Sequence, residues 1–289
     1  MTPERELGSF LRSRRDRRQP PAATAGAANR RVPGLRREEV AASAGVTRDY
    51  LRRLEQGRVL PSDAVLDAVS RALRLHPAER SHLGVLADRA RGRQPESATD
   101  EALRPGLLRT LDAVSPNPAV VLGRRCEVLA WNAMGAALDP ALADLPPQQR
   151  NVARRIVLDP SAHDVYPEWE ALVQEVSDVL RLNAARFPAD AALAALVQDL
   201  LTESTVFERC WQRLDVFEKV AGRKILNHPR VGRLDLTYEA FDVSLTSGAT
   251  MLVYTAEDGS ATASALAQLA DTVFLEGTTT RTPSPFPRI

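Results

Sequence analysis

The sequence is poor in cysteine and histidine, which argues against several classes of site. Its two cysteines, Cys126 and Cys210, cannot build a disulfide framework, and we expect both to be small buried residues. None of the four histidines lies beside a cysteine or within an HExxH array, so we expect no metal site. The chain also contains no GxSxG, GxGxxG or phosphate-binding loop pattern. We therefore expect neither catalytic residues nor a cofactor.

Long apolar runs are absent as well. No stretch approaches the roughly 18 consecutive apolar residues that a membrane span needs. The N-terminus is charged from Glu4 onward and lacks the apolar segment of a signal peptide. We expect a cytoplasmic protein that does not enter a membrane. With 289 residues, of which 44% are apolar, the chain is long enough for two domains that each bury a core.

Charge is divided unevenly along the chain. Residues 1–100 carry 20 arginines and 13 acidic residues, a net charge of +7. The remainder carries 18 basic and 24 acidic residues, a net charge of −6. A basic first third indicates a polyanionic partner for that region. The acidic remainder indicates a solvated domain that does not contact nucleic acid.

Apolar periodicity and glycine punctuation predict five helices in the first 90 residues. The first carries Leu7, Phe10 and Leu11 on one face and ends in an arginine cluster. The other four are predicted over Arg37–Ala44, Thr47–Gln56, Ser62–Leu73 and Ala78–Arg89. Residues 91–103 are polar with glycine and proline and predict a linker, so we place the first domain at 1–90.

The second domain, predicted over 104–274, mixes strands with helices. Strand patterns cover Pro118–Leu122, Glu127–Trp131, Arg233–Glu239 and Thr250–Thr255. Helical patterns cover Glu168–Arg181, 193–201, Val206–Val216 and Ser264–Thr272. These patterns predict an α+β domain whose mixed sheet has helices on one side. The tail, 275–289, is rich in threonine and proline and is predicted to be disordered.

Residues 36–57 have the pattern of a helix-turn-helix. Ala41 is small enough to let two helices approach, Gly45 supplies the turn, and Val46 fills the corner. Thr47 is placed to cap the second helix, which Leu51 and Leu54 would hold to the core. Its outer face then carries charged side chains that can reach base edges or phosphates. The predicted DNA contacts are Arg37, Thr47, Arg48, Asp49, Arg52, Arg53 and Arg58.

The same segment resembles a known family. Residues 36–61 resemble the Cro/repressor-type (XRE) helix-turn-helix, including the ending Leu54-Glu55-Gln56-Gly57-Arg58. The stretch Pro33-Gly34-Leu35-Arg36-Arg37-Glu38-Glu39-Val40-Ala41 is similar to that of MmyB-like regulators of actinomycetes. Family-like motifs continue with Pro118–Arg124, Val128–Asn132, Tyr166-Pro167-Glu168-Trp169, His228–Gly232 and Val253–Glu257. One departure is Arg37, where many repressors place a glutamine that contacts a base.

The resemblance implies a transcription regulator that binds double-stranded DNA as a homodimer. It also implies a PAS-like second domain with a pocket for a small, apolar, fatty-acid-like ligand. Within that domain the large aromatic residues and one arginine are candidates for the pocket lining. The candidate ligand contacts are Trp131, Arg155, Phe207, Trp211 and Tyr238.

Three alternatives stay open from the residues alone. The second domain could be an enzyme whose catalytic groups are far apart in the sequence. It could instead sense haem or flavin, with His228, His163 or Cys210 as an axial ligand to haem. The helical module could bind a protein rather than DNA, although its charge of +7 argues against this.

Overall fold

The described part of the first 90 residues contains the five predicted helices of a helix-turn-helix module. In the computed structural model, the described residues are 2–18, 34–93, 103–213, 221–244 and 248–279. The five helices are α1 (Pro3–Arg17), α2 (Arg37–Ala44), α3 (Arg48–Glu55), α4 (Asp63–Ala72) and α5 (Pro77–Ala90). Threonine and serine hydroxyls begin two of them: Thr47 accepts a hydrogen bond from the Tyr50 amide, and Ser62 accepts one from the Val65 amide.

A single apolar core holds these helices together. Leu54 and Val69 are completely buried in it, and Leu7, Leu51 and Leu83 are 1% exposed. Gly8 of α1 allows close approach to α3, because a Cβ at this position would lie 2.5 Å from the Glu55 carbonyl oxygen. Leucine residues at helical spacing therefore form the core of this module, and Gly8 allows the backbones of α1 and α3 to pack closely.

The described remainder of the chain contains nine further α-helices, one short 3-10 helix (Pro147–Gln149) and five strands. The helices are α6 (Pro105–Ala113), α7 (Ala133–Leu138), α8 (Pro140–Ala143), α9 (Val152–Val157), α10 (Ala162–Val165), α11 (Trp169–Arg186), α12 (Ala191–Glu203), α13 (Thr205–Gln212) and α14 (Ala261–Thr279). The strands are β1 (Ala119–Leu122), β2 (Val128–Trp131), β3 (Ala221–His228), β4 (Gly232–Ser244) and β5 (Ala249–Thr255). None of the described helices is both long and apolar enough to cross a membrane.

The five strands form one sheet in the order β2-β1-β5-β4-β3. Every neighbouring pair of these described strands is antiparallel, so the expectation of a mixed sheet was wrong. The α+β, PAS-like fold class is confirmed. Strand β3 had not been predicted, because its buried run at 224–226 does not alternate with polar residues.

The two faces of the sheet have different neighbours. Ala119, Val121 and Met251 form a small core with Leu111 of α6 on one face. Alternate residues such as Val120, Lys224 and Leu252 point to the other face and line a cavity. Helices therefore cover both faces, and not one face as predicted. Asn132 connects the two layers, since its side chain accepts hydrogen bonds from the amides of Ala119 and Gly135.

The chain divides into two compact units that are not continuous in sequence. Unit 1 comprises Met1–Ser97, Ser177–Ala191 and Arg209–Glu218, and unit 2 comprises the rest. Two segments assigned to the second domain from sequence therefore belong to unit 1. In the first of them, Leu182 and Ala185 are buried in the core of this unit. Helical periodicity does not predict that these residues lie in this core, because it identifies the apolar face of a helix but not the element against which that face packs.

Two other boundaries differ from the sequence-based prediction. Helix α11 extends five residues beyond Arg181, and α14 continues to Thr279. The predicted disordered tail therefore begins too early, since residues 275–279 are helical. Residues 280–289 and most of the predicted linker, 94–102, lie outside the described residues.

Candidate DNA-reading helix and ligand pocket

Unit 1 contains a tight corner between α2 and α3. Gly45 adopts a left-handed conformation with φ of 66°, and the amide of Val46 donates to the Ala41 carbonyl at 3.0 Å. Val46 packs against the core, and Thr47 starts α3 in an extended conformation. As a result, the face of α3 that carries Leu51 and Leu54 is buried in the core, and the opposite face lies at the surface.

The exposed side of α3 carries most of the predicted DNA contacts. Thr47, Arg48, Asp49, Arg53 and Arg58 are exposed, and the Arg52 side chain is 42% exposed. Arg48 pairs with Glu38 at 2.7 Å and Arg52 pairs with Asp49 at 2.7 Å. Arg53 and Arg58 form no ion pair with any described residue. The helix therefore presents several guanidinium groups that a duplex could engage by exchanging exposed carboxylate partners for phosphates or base edges.

Arg37 is placed differently from the other predicted DNA contacts. Its Nε lies 2.7 Å from Glu55 Oε2, and the Glu55 side chain is only 2% exposed. Arg15 donates to the same carboxylate from the other side, with its Nε 2.6 Å from Oε1. The Arg15–Glu55–Arg37 cluster ties α1, α2 and α3 together. Arg37 therefore has a structural partner, and a phosphate contact from it stays a prediction.

Unit 2 contains a cavity between the sheet and the helices that follow β2. Its empty volume is about 600 Å³, counting the solvent space at its mouth. The part of this space that is open to the centre of a water-sized sphere is about 60 Å³, so the enclosed space itself is small. Aliphatic side chains and one tryptophan form most of its wall. They are Val120, Leu122, Val128, Trp131, Leu138, Leu142, Val152, Leu226 and Leu252.

The polar part of the wall is small and is formed by four side chains: Asp139, Tyr166, Lys224 and Tyr254. The Lys224 ammonium lies 5.6 Å from the centre of the Tyr166 ring and 5.7 Å from that of Tyr254. Both distances are within the range of a cation–π interaction. Burial lowers the pKa of Lys224, while the charges of Glu175 and Asp139 oppose this shift.

Asp139 connects the cavity to a buried arginine. The Tyr166 hydroxyl donates to Asp139 Oδ2 at 3.2 Å. Arg155, whose side chain is 3% exposed, lies 3.3 Å from the same carboxylate and 3.0 Å from that of Asp159. Burial first, and then the negative charge of Asp139, raises the pKa of Tyr166 well above 10, so the phenol stays protonated. The ion pair with Arg155 balances the negative charge of Asp139.

The five predicted ligand contacts do not lie together at one site. Trp131 lines the cavity, where the Arg150 guanidinium also lies 4.9 Å from its ring centre. Arg155 is behind Asp139 and is not in the wall. Phe207 is completely buried, and Tyr238 packs edge-on against Tyr254 with ring centres 6.0 Å apart. Trp211 belongs to unit 1, where the Arg181 guanidinium covers its ring at 4.2 Å.

None of the four polar side chains of the cavity was singled out from sequence, although three of them carried a signal: Lys224, Tyr166 and Tyr254. Two of them stand in motifs that carried the family resemblance, Tyr166-Pro167-Glu168-Trp169 and Val253–Glu257. The third had a compositional signal, because 36 of the 38 basic residues are arginine and only positions 219 and 224 are lysine.

Two family models match the chain. The model described as the MmyB-like transcription regulator ligand binding domain matches residues 103–269, and a helix-turn-helix domain model matches residues 6–83. No curated protein matches the chain. The first match covers more than half of the sequence and includes every residue of the cavity wall. The chain therefore belongs to the MmyB-like family of transcription regulators, in which a DNA-binding helix-turn-helix domain is joined to a ligand-sensing domain.

Proposed function

We propose that this regulator binds DNA as a homodimer through α3, with Arg48 and Arg52 reading bases and Arg53 and Arg58 contacting phosphates. Arginine forms two hydrogen bonds with guanine, which is the commonest specific base contact. The position of Arg48, Arg52 and Arg53 at the surface of one capped helix, with the exposed Arg58 just beyond its end, supports the proposal. Two half-sites would lie about 34 Å, or one helical turn, apart.

For unit 2, we propose a small, apolar, fatty-acid-like ligand. The observation that carries this proposal is the cavity wall, which is apolar except for four polar side chains. An apolar tail would gain roughly 25 cal/mol for each Å² of surface removed from water. The few polar groups would fix its orientation.

Ligand and DNA binding would be linked by a coupling free energy. If the ligand changes the affinity for DNA by a given factor, DNA must change the affinity for the ligand by the same factor. Both affinities are measurable on the same protein. Equal factors in the two directions support sensing by this chain. A ligand that binds without altering DNA affinity would contradict a sensory role for it.

Native mass spectrometry of the full chain purified from cells tests the ligand and the dimer together. We expect a homodimer that carries a small molecule, which solvent extraction releases as an apolar compound. Addition of the extracted compound should change the affinity for a selected duplex. A monomer under all conditions would contradict the dimeric arrangement, and a bound coloured cofactor would contradict the apolar ligand.

Replacing Arg48 by alanine is expected to weaken binding to a duplex selected from a random pool by about 1–3 kcal/mol, the range for one bidentate base contact. Among the described residues, the exposed Arg48 side chain pairs with the exposed Glu38 alone, so its removal should leave the fold intact. Fluorescence anisotropy at a fixed salt concentration would measure the change.

Arg71→Ala is the matched control for this substitution. Arg71 is an exposed arginine of the same unit, on α4 instead of α3. Its loss removes the same charge from the surface and should leave the discrimination between selected and random duplexes unchanged. An Arg48→Ala variant that discriminates as well as the parent would show that Arg48 does not read a base.

A further inference from the structure

Arg52 is held by two other side chains at the surface of α3. Its Nε and Nη2 donate to Asp49 Oδ1 at 3.0 and 2.7 Å, and its Nη1 donates to Gln56 Oε1 at 3.3 Å. Asp49 lies one turn before Arg52 and Gln56 lies one turn after it, so the three side chains share one face of the helix. The guanidinium of Arg52 therefore has a defined direction on this exposed face.

The donors of Arg52 that remain are those that a guanine needs. A guanidinium carries five N–H donors, one on Nε and two on each terminal nitrogen. Asp49 and Gln56 together accept one donor from each of the three nitrogens. Among the residues that the structure describes, one N–H on Nη1 and one on Nη2 therefore have no acceptor. Such a pair matches the O6 and N7 acceptors of guanine, so Arg52 can contact a base without giving up Asp49.

The carboxylate of Asp49 opposes the binding of DNA in general. Its side chain is 64% exposed in the first turn of α3. The hydrogen bond from Arg52 lowers the pKa of Asp49, so the carboxylate is ionised near neutral pH and repels the phosphates of any duplex. An exposed ion pair of this kind also contributes little to the stability of the fold. Asp49 therefore weakens non-specific binding and adds little to folding, which points to a role in specificity.

We propose that Asp49 is a positioning residue that holds the Arg52 guanidinium for one guanine of the operator, so that the pair, and not Arg52 alone, sets the preference for that base. The inference rests on the proposed function, because it needs Arg52 to face the major groove. An unrestrained arginine loses side-chain freedom when it binds, and it can also turn to a phosphate. Asp49 reduces both effects, since it fixes the guanidinium and repels a phosphate that approaches the same place.

Competition binding of the full chain, measured by fluorescence anisotropy at a fixed salt concentration, tests this role. The parent protein first selects duplexes from a random pool, and each base pair of a selected duplex is then replaced in turn. Arg52→Ala identifies the base that Arg52 reads, as the position at which this variant loses the preference of the parent. We expect a guanine at that position, which the parent should prefer roughly tenfold to a hundredfold over other bases.

Asp49→Ala should change specificity and general affinity in opposite directions. It should lose most of the preference for this guanine, while its affinity for a random duplex should exceed that of the parent because one negative charge is removed. In an Arg52→Ala background, the same substitution should cause no further loss of preference at this base, since Asp49 acts through Arg52. Asp67→Ala is the matched control, because Asp67 is an exposed aspartate on α4 and its loss should leave the preference intact.

The possible results distinguish this role of Asp49 from the proposed function. If Asp49→Ala keeps the guanine preference that Arg52→Ala loses, Asp49 does not position Arg52, although Arg52 still reads a base. A further loss in the Arg52→Ala background would show that Asp49 contacts DNA itself and would overturn the positioning role. A base other than guanine would contradict the match with the remaining donors of Arg52. If Arg52→Ala keeps every base preference, the proposed base reading by Arg52 fails as well.

Discussion

Replacing Glu55 by alanine is expected to lower the free energy of unfolding of unit 1 by about 3–5 kcal/mol. Glu55 is the shared partner of Arg15 and Arg37, and its side chain is 2% exposed. Removing Glu55 takes away the main counter-charge of the Arg15 guanidinium, and the Arg15 side chain is only 7% exposed. Arg15 retains the Leu35 carbonyl at 2.9 Å and Asp16 at 2.8 Å, which places the loss toward the lower end of the range.

Hydrogen exchange of peptides from α3 would measure this loss as faster opening of that helix. Glu38→Ala is the matched control, since Glu38 is also a glutamate paired with an arginine of α3 but is 53% exposed. An exposed pair of this kind contributes about 0–1 kcal/mol. If both substitutions had the same small effect, the Arg15–Glu55–Arg37 cluster would not contribute substantially to the stability of unit 1.

Unit 1 is expected to lose stability as the pH falls below about 6.5 because of a buried histidine. His82 on α5 is 2% exposed and packs edge-on against Phe10, with ring centres 5.0 Å apart. Its Nδ1 has no hydrogen-bond partner within the described structure. Burial, and then the positive charges of Arg181, Arg14 and Arg89, lower the pKa of His82 to about 3.

The sign of the effect follows from proton binding. Between pH 6.5 and about 3, the unfolded chain binds a proton at His82 and the folded chain does not, so acid favours unfolding. The loss is about 1.4 kcal/mol per pH unit in this window, or about 2 kcal/mol between about pH 7.5 and pH 5. Above the window the contribution is constant.

His82→Leu keeps an apolar side chain of similar size at this position and should remove the slope. Urea unfolding of the variant and the parent at several pH values from about 7.5 to 5 would measure the difference, above the range in which most carboxylates take up protons. Parallel pH dependences of the two proteins would show that His82 is not excluded from protonation in the folded state.

The helix-turn-helix was predictable because its signals are local. Gly45, Thr47 and Gly57 mark the helix ends, and Leu51 and Leu54 mark the buried side within four residues of one another. Such short-range patterns specify helices and the turn between them. The partner of Arg37 was not predictable in the same way, because Glu55 lies 18 residues further along and Arg15 on another helix.

The ligand pocket was harder to predict because its wall is assembled from distant strands. Val120, Lys224 and Leu252 share one face of the sheet only after β1, β3 and β5 have taken their order. Size and aromaticity favoured Phe207 and Tyr238 as contacts, but both are buried and neither lines the cavity. Sequence alone does not distinguish a core aromatic residue from a ligand contact, since both are apolar and periodic.

We propose above all that the exposed arginines of α3 bind duplex DNA. The most direct measurement is the affinity of the full chain for a selected duplex between about 50 and 200 mM salt, compared with an Arg48→Ala, Arg52→Ala, Arg53→Ala triple variant. We expect the affinity of the parent to fall linearly with salt concentration on a log–log plot. The triple variant should bind more weakly, and its slope should be shallower by about one, because Arg53 is the proposed phosphate contact among the three arginines. Absence of any duplex binding at about 50 mM salt, or identical slopes for the two proteins, would contradict the account.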